Sequence, residues 1–300
     1  MIGTGLRILA VLAAAFGMGM AALQALTPEA GRAAYQGFKS EQQIALPDYA
    51  GDAMEPFITP DGRQMLFNSS NAPGFDTDLF SAPRKADGSF AKPAALAQAN
   101  SKTLDGVASL DRDGTLYFIS LRSYAKSLST LYSASNGGRA APKLVAGVSS
   151  KRPGIVQFDA EVAWDGQSLW VSEGRFSGKP YPDSARIVLA RKSSDGFRYS
   201  PDSDVLLAKV NQGALNYAAA ISRDGLELFF TRVEDMGHPE PVIMRAARSS
   251  LGQPFGSPQP VAGIAGHVEA PSLSADGLTL YYHKRIAGRF VLCEIRRQRR

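Results

Sequence analysis

From residue 37 onward, short runs of apolar and aromatic residues alternate with turn-forming stretches. The clearest example is EAPSLSADGLTLYYHK, from Glu269 to Lys284. Pro271, Leu273 and the small residues between them make one extended run. Asp276-Gly277 is turn chemistry, because Gly takes a positive φ and Asp tolerates the neighbouring position. Leu280-Tyr281-Tyr282 follows with high β-propensity and no polar alternation, which predicts a strand covered on both faces. The same pattern recurs from Glu55, Ala108, Glu161 and Ala219. Its Asp-Gly pairs begin at Asp61, Asp113, Asp165, Asp224 and Asp276, spaced 52, 52, 59 and 52 residues apart. A period near fifty with several short strands per repeat is the mark of a β-propeller.

Each repeat offers two further strands. The third is DLFSAPR at Asp78, LYSAS at Leu131, RIVLARK at Arg186, VIMRAAR at Val242 and FVLCEIRR at Phe290. The fourth is a Pro- or Ser-bearing stretch ending in a short aliphatic run, as in the segments from Ser89, Gly196 and Pro254. These predict blades at 53–97, 105–146, 158–208, 216–262 and 268–296. The last repeat stops after its third strand, while residues 37–50 resemble a spare fourth one. The expectation is an all-β, five-bladed propeller of four-stranded antiparallel blades over 37–300, with Gln43 to Leu46 closing the last blade. Closure of that kind leaves no free edge between first and last blades. The longer third interval belongs in loops around Phe176–Pro182 and Asp195–Ser203. The third repeat, with Trp164 before Asp165, is one residue short in its first strand.

Residues 1–26 have a different character. Arg7 precedes an uncharged apolar stretch from Ile8 with small residues near Ala21 to Ala25. This reads as a signal peptide, with an uncleaved membrane anchor as the alternative. Residues 27–36 read as a linker. Both readings place the remainder in the periplasm or outside the cell, held at the inner membrane only if the segment stays. The one cysteine, Cys293, excludes an internal disulfide and sits in an apolar run, so it is expected to be buried. The net charge of +5 is spread out, without a basic stripe interleaved with aromatics, so no nucleic-acid partner is expected. The tail from Arg296 to Arg300 reads as a solvated terminus.

The pattern small/Pro–x–x–Ser–x–Asp-Gly–x–x–Leu-Tyr/Phe-Phe resembles the TolB-like, WD-like propeller repeat of many exported bacterial proteins. Pro271, Ser274, Asp276, Gly277, Leu280, Tyr281 and Tyr282 carry it, with the matching positions of the other repeats, over residues 37–296. TolB itself has six such blades behind an extra domain, where this chain counts five. The resemblance implies an exported propeller, and its motif speaks for the repeat rather than for a function. Separately, the expected partner is a protein, a peptide or a cell-envelope saccharide, and the expected state is a monomer.

Propeller topology places the Asp-Gly turns on one face and the blade-to-blade connections on the other. Propellers commonly bind at the channel mouth on the second face. Residues entering the inner strands there are Glu55, Asp105, Asp159, Asn216 and Glu269. After the second strands come Arg122, Arg175, Arg232 and Arg285, giving an acidic ring inside a basic one. His238, His267 and His283 map to the same face. Acid–Arg pairing across neighbouring blades is the structural explanation of the rings, since buried carboxylates need partners. A polar ligand pocket is the functional one. The histidines are a weak alternative as a metal site, because no ligand spacing supports them; no cofactor is expected. The first functional reading is a binding or scaffold module without catalysis. The alternative is a glycan-active enzyme using Glu55, Asp159 and Glu269, with Asp105, as its carboxylates. Phosphate-loop, Gly-x-Ser-x-Gly and HExxH signatures are absent from the chain.

Overall fold

A computed structural model describes residues 35–300 apart from 73 and 75. The leader expected at 1–26 and nearly all of the linker lie outside the described residues. The first strand, β1 (Lys39–Gln43), belongs to the last sheet. Next come β2 (Met54–Ile58), β3 (Gln64–Asn68), β4 (Leu79–Pro83) and β5 (Ala94–Ala95), paired in that order. A second sheet holds β6 (Asp105–Leu110), β7 (Leu116–Ser120), β8 (Leu131–Ala134) and β9 (Lys143–Leu144). A third holds β10 (Ile155–Val162), β11 (Ser168–Arg175), β12 (Ser184–Ser193) and β13 (Gly196–Tyr199). The fourth holds β14 (Leu215–Ile221), β15 (Glu227–Val233), β16 (Val242–Ala247) and β17 (Gln259–Pro260). One parallel bridge, Ala185 to Leu215, joins the third and fourth. Finally β18 (Val268–Leu273), β19 (Thr279–Ile286) and β20 (Arg289–Arg296) pair in order, and β1 runs antiparallel to β20.

The hairpin motif explains itself in atoms. The five Asp-Gly glycines all have φ between 70° and 76°, a conformation that favours Gly. The Ser or Thr two residues earlier does two jobs. The Ser274 hydroxyl donates to Asp276 Oδ1 at 2.6 Å and accepts the Thr279 N–H at 2.9 Å. Thr59 and Ser222 repeat both bonds. In the second repeat Asp111 substitutes, accepting the N–H groups of Asp113 and Thr115 at 2.9 Å. The third repeat has Ala163 there, and Asp165 alone caps the turn through Gln167 N–H at 2.9 Å.

The second strands are buried on both faces because each sheet packs between two others. Five apolar clusters fill the gaps between successive sheets. One of them sets Met65 and Phe67 of the first sheet against Tyr281 and Leu292 of the last. Phe229 and Tyr282 are fully buried in the cluster between the fourth and last sheets. Burying such a side chain contributes about 2–3 kcal/mol. Cys293 is buried there too, and burial pushes its thiol up to about 11.

Two sequence expectations shift. The closing strand is Lys39–Gln43 rather than Gln43 to Leu46, registered with Gln43 opposite Cys293 and Lys39 opposite Arg296. Beyond Gln43 the Ile44 N–H donates to Leu292 O at 2.8 Å and the Ala53 N–H to Phe290 O at 3.0 Å, while Ile44 turns into the core beside the first sheet. The C-terminal tail is not simply solvated. Arg297 is buried and grips Glu227 of the fourth sheet through Nη1 at 3.0 Å and Nη2 at 2.5 Å. Its guanidinium also lies 3.7 Å from the Tyr35 ring centroid. A charge run at a terminus gives no hint that one of its members has a buried carboxylate waiting on another blade.

Candidate functional site

The inner strands are not regular. Each carries a bulge, seen as a register shift against its partner strand, at Met54/Phe57, Gly106/Ser109, Gln157/Asp159, Tyr217/Ala220 and Glu269/Ser272. In four of them the residue six before the Asp has a left-handed backbone: Glu55 (φ 52°), Val107 (55°), Ala218 (52°) and Ala270 (53°). The third repeat, short by one residue in sequence, bulges at Phe158 instead and has no such residue. A non-glycine residue in this region costs roughly 1–3 kcal/mol and turns its N–H out of the ladder.

A polar side chain from the neighbouring sheet receives that N–H. Asn68 Oδ1 accepts from Val107 at 3.0 Å, Ser172 Oγ from Ala218 at 3.0 Å, and Thr231 Oγ1 from Ala270 at 2.9 Å. His283 Nδ1 accepts from Glu55 at 2.9 Å. These acceptors, with Ser120, occupy one repeat position spaced 52, 52, 59 and 52 residues apart. Ser120, facing the sheet without a left-handed bulge, instead accepts from Arg122 Nε at 2.8 Å. All five are buried.

Three of these latch residues also hold the site carboxyls. Ser172 donates to Asp159 Oδ1 at 3.4 Å. His283 carries its hydrogen on Nε2, because Nδ1 accepts, and so donates to Glu269 Oε2 at 3.2 Å. Asn68 reaches Glu55 through Asn71, whose Nδ2 donates to Glu55 Oε1 at 2.9 Å. His267 Nε2 meets the same Glu269 oxygen at 3.2 Å, and the Tyr217 hydroxyl donates to the other. Phe158, between Phe176 and Tyr217 at 5.8 Å from each, forms an aromatic wall. Glu55 Oε2 has no hydrogen-bond partner among the described residues.

The carboxyls divide electrostatically. Burial raises Glu55 well above the usual carboxylate range, and the charges of Asp159 and Glu269 push the same way against the Asn71 bond. Burial raises Asp159 to about 7, against the Ser172 bond. Burial also acts upward on Glu269, but the hydrogen bonds from His267, His283 and Tyr217 outweigh it and hold that carboxyl well below its ordinary value. The Glu269 carboxylate therefore stands beside two carboxyls that hold their protons more tightly than usual.

The other predicted residues separate from this group. Asp105 is fully buried and pairs within its own blade with Arg122 Nη2 at 2.6 Å, while accepting the Ser101 hydroxyl at 2.7 Å. Asn216 accepts from Arg232 Nε at 2.9 Å in the same way. Asp105 thus pairs with an Arg of its own blade, not with one on a neighbouring blade as the sequence suggested, because Arg122 follows just after β7, the strand paired with β6. Arg175 is exposed, and Arg285 lies exposed 5.9 Å from the Phe290 ring centroid. His238 is exposed beside Asp235, far from forming a trio with His267 and His283. Among the described residues, no group of three or more such side chains is arranged to hold a metal ion.

Tyr217 and Glu161 were missed from sequence. Glu161 lies deeper in the channel, accepts the Ile221 N–H at 2.8 Å, and is raised well above its usual range by burial. Nothing local marks either residue. The latch position was findable, as a polar residue closing every second strand at the repeat period.

The fold and site define an all-β propeller protein in which carboxyls from three sheets gather. No family model matches the chain, and no curated protein matches it. Solved structures do. An α-L-arabinofuranosidase from Podospora anserina, in complex with cellotriose, aligns with TM-score 0.53 and 11% identity over 89% of this chain and 98% of that one. A gluconolactonase from Xanthomonas campestris aligns with TM-score 0.51 and 15% identity over 90% and 93%. TolB from Acinetobacter baumannii aligns with TM-score 0.49 and 15% identity over 83% of this chain, which spans 55% of TolB. At such identities the likeness shows the propeller fold and not the chemistry.

Proposed function

We propose that this chain is a five-bladed propeller, closed by β1, that works outside the cytoplasm as a binding module for a saccharide of the cell envelope. The ligand sits at the channel mouth, over Glu55, Asp159, Glu269 and Tyr217. One observation carries the reading: three carboxyls from three blades converge without a Lys or Arg partner within salt-bridge distance among the described residues, and one Glu55 oxygen is left unbonded. A buried polar atom without a partner is costly, and a ligand hydroxyl removes that cost. Acceptors and donors beside an aromatic wall are the usual lining of a polar-ligand pocket. No helix of the described residues is long and apolar enough to cross a membrane. Any membrane attachment is assigned to the apolar segment before residue 27.

The test is a glycan and envelope-extract binding screen with wild type and the Glu55→Gln and Glu269→Ala variants. Binding should fall at least tenfold in both while thermal unfolding of Glu55→Gln stays within a few degrees. Unchanged binding with lowered stability would make the cluster structural. Capture of a protein or peptide in place of a glycan would keep the mouth as the site but change the ligand class.

A second reading has its own observation. Neighbouring carboxyls whose proton affinities are driven apart are the arrangement of an acid and a base. On that reading Asp159 donates the proton and Glu269 acts as the ionised partner in glycoside hydrolysis. Release of aryl alcohol from a panel of aryl glycosides, abolished by Asp159→Asn, would select it; no release from any member would remove it.

A further inference from the structure

Three arginines are buried among the described residues: Arg232, Arg248 and Arg297. Arg297 pairs with Glu227 at 2.5 Å, and Arg232 has Glu234 at 3.8 Å. Arg248, just after β16 and only 5% exposed, has no carboxylate within 4.0 Å among the described residues. Its Nε donates to Gly225 O and its Nη1 to Leu251 O, both at 2.8 Å. Its Nη2 makes no hydrogen bond among the described residues. The guanidinium lies 4.5 Å from the Phe255 ring centroid. Carbonyls and a ring hold the group in place, but its charge lacks a counter-ion, and a buried charge without one is costly.

Arg248 lines a cleft between the third and fourth sheets, beside the turns at Asp165 and Asp224, with room for about 160 Å³. A cavity of roughly 150 Å³ admits a benzene ring, so this one has space for a compact ligand. Arg191 of β12 lines the same cleft and has only Asp202 as an ion-pair partner, at 3.4 Å. Burial holds the Arg248 pKa below its ordinary value, and the Arg191 charge acts the same way, against Asp202 and Asp224. The two acids of the lining are engaged in their own turns, Asp165 by Gln167 N–H at 2.9 Å and Asp224 by Leu226 N–H at 3.0 Å. Trp170 borders the cleft too, and its buried Nε1–H has no acceptor among the described residues. Two guanidinium groups from neighbouring sheets approach the cleft from different sides. A phosphate has acceptor oxygens for both, whereas a carboxylate is matched to a single fork.

We propose that this cleft is an anion site for a phosphate group, held between Arg248 and Arg191, and that the phosphate is the missing counter-ion of Arg248. Two sources present that chemistry: free phosphate, and the phosphomonoester of a small alcohol. The site is independent of the carboxyl cluster at the channel mouth.

Both tryptophans of the chain, Trp164 and Trp170, line the cleft, so intrinsic fluorescence reports on its occupancy. The full chain is titrated with inorganic phosphate, with glycerol 1-phosphate and with acetate at matched ionic strength, and each affinity is checked by equilibrium dialysis. Phosphate should bind at least tenfold more tightly than acetate and should raise the melting temperature, as a ligand of the folded state does. Arg248→Gln also removes the bonds to two carbonyls, so the deciding variant is Arg191→Gln, at a half-exposed position. It should weaken phosphate binding tenfold or more. Arg248→Lys, which keeps the charge, should retain part of the affinity. Arg198→Gln, the same loss of charge at an exposed position away from the cleft, should change nothing. Tighter binding of the ester than of phosphate supports the site with the ester as source, and equal or weaker binding supports it with free phosphate. Acetate binding as well as phosphate, an unaffected Arg191→Gln, or no saturation at millimolar phosphate overturns the proposal.

Discussion

At the scale of single residues, one carboxyl sets a pH dependence. Asp159 titrates near 4 in an unfolded chain and is pushed up to about 7 by burial in the fold. Between those values the folded protein keeps a proton that the unfolded chain has released. Stability therefore falls as pH rises from about 4 through 7, then levels. Urea unfolding across that range, wild type minus Asp159→Asn, should show the slope vanish in the variant, a difference of up to about 4 kcal/mol. A flat difference would mean that Asp159 is wetter than the structure shows. Glu269 acts in the opposite sense: its stabilisation is present above the ordinary carboxylate pKa and is lost as pH falls below it. The types of both residues are legible in the sequence. Their divergence is not, because it depends on which neighbours donate hydrogen bonds, and His267, His283 and Tyr217 come from three different strands or loops.

At the scale of elements, the bulged inner strand and its latch are the repeating unit of assembly. Each left-handed bulge turns one N–H towards the preceding sheet, and a polar side chain there must receive it. Thr231→Val keeps shape while removing the acceptor for the Ala270 N–H. It should cost about 1–3 kcal/mol in chemical denaturation, the penalty of a buried unpaired donor. A loss below 0.5 kcal/mol would show that water or a backbone shift replaces the bond. The hairpins were fully legible: Ser–x–Asp-Gly specifies the turn through bonds within six residues. The latch was only half legible. Asn68, Ser120, Ser172, Thr231 and His283 share a position, but their chemical variety hides a common task that any hydrogen-bond acceptor can perform.

At the scale of the whole molecule, the two chain ends carry the seam. Phe38 and Ile44 flank β1 and are buried in the clusters on either side of the last sheet. A chain beginning at Pro47 loses both residues and the pairing to β20, and should melt roughly 10 °C lower and aggregate through the exposed edge. Equal melting would mean that the wheel holds without its closing strand. Arg297 ties the other end to Glu227. Arg297→Ala leaves that carboxylate with Arg245 alone and should cost about 3–5 kcal/mol by calorimetry, as expected when one partner of a buried pair is removed.

The repeat, its period, the hairpin turns and the strand order followed from residues close together in sequence, because turn chemistry and strand burial are decided within a few positions. The sequence likewise placed Glu55, Asp159 and Glu269 on the inner strands, since their position in the repeat fixes which strand each one joins. What it did not decide was company. Whether an acid pairs with an arginine in its own sheet, as Asp105 does, or gathers with acids from other sheets, as Glu55 does, depends on inter-blade packing. The buried grip of Arg297 on Glu227 and the stacking of Arg223 on Trp164 also join residues about 60 or more positions apart, and only the packing of neighbouring sheets brings them together.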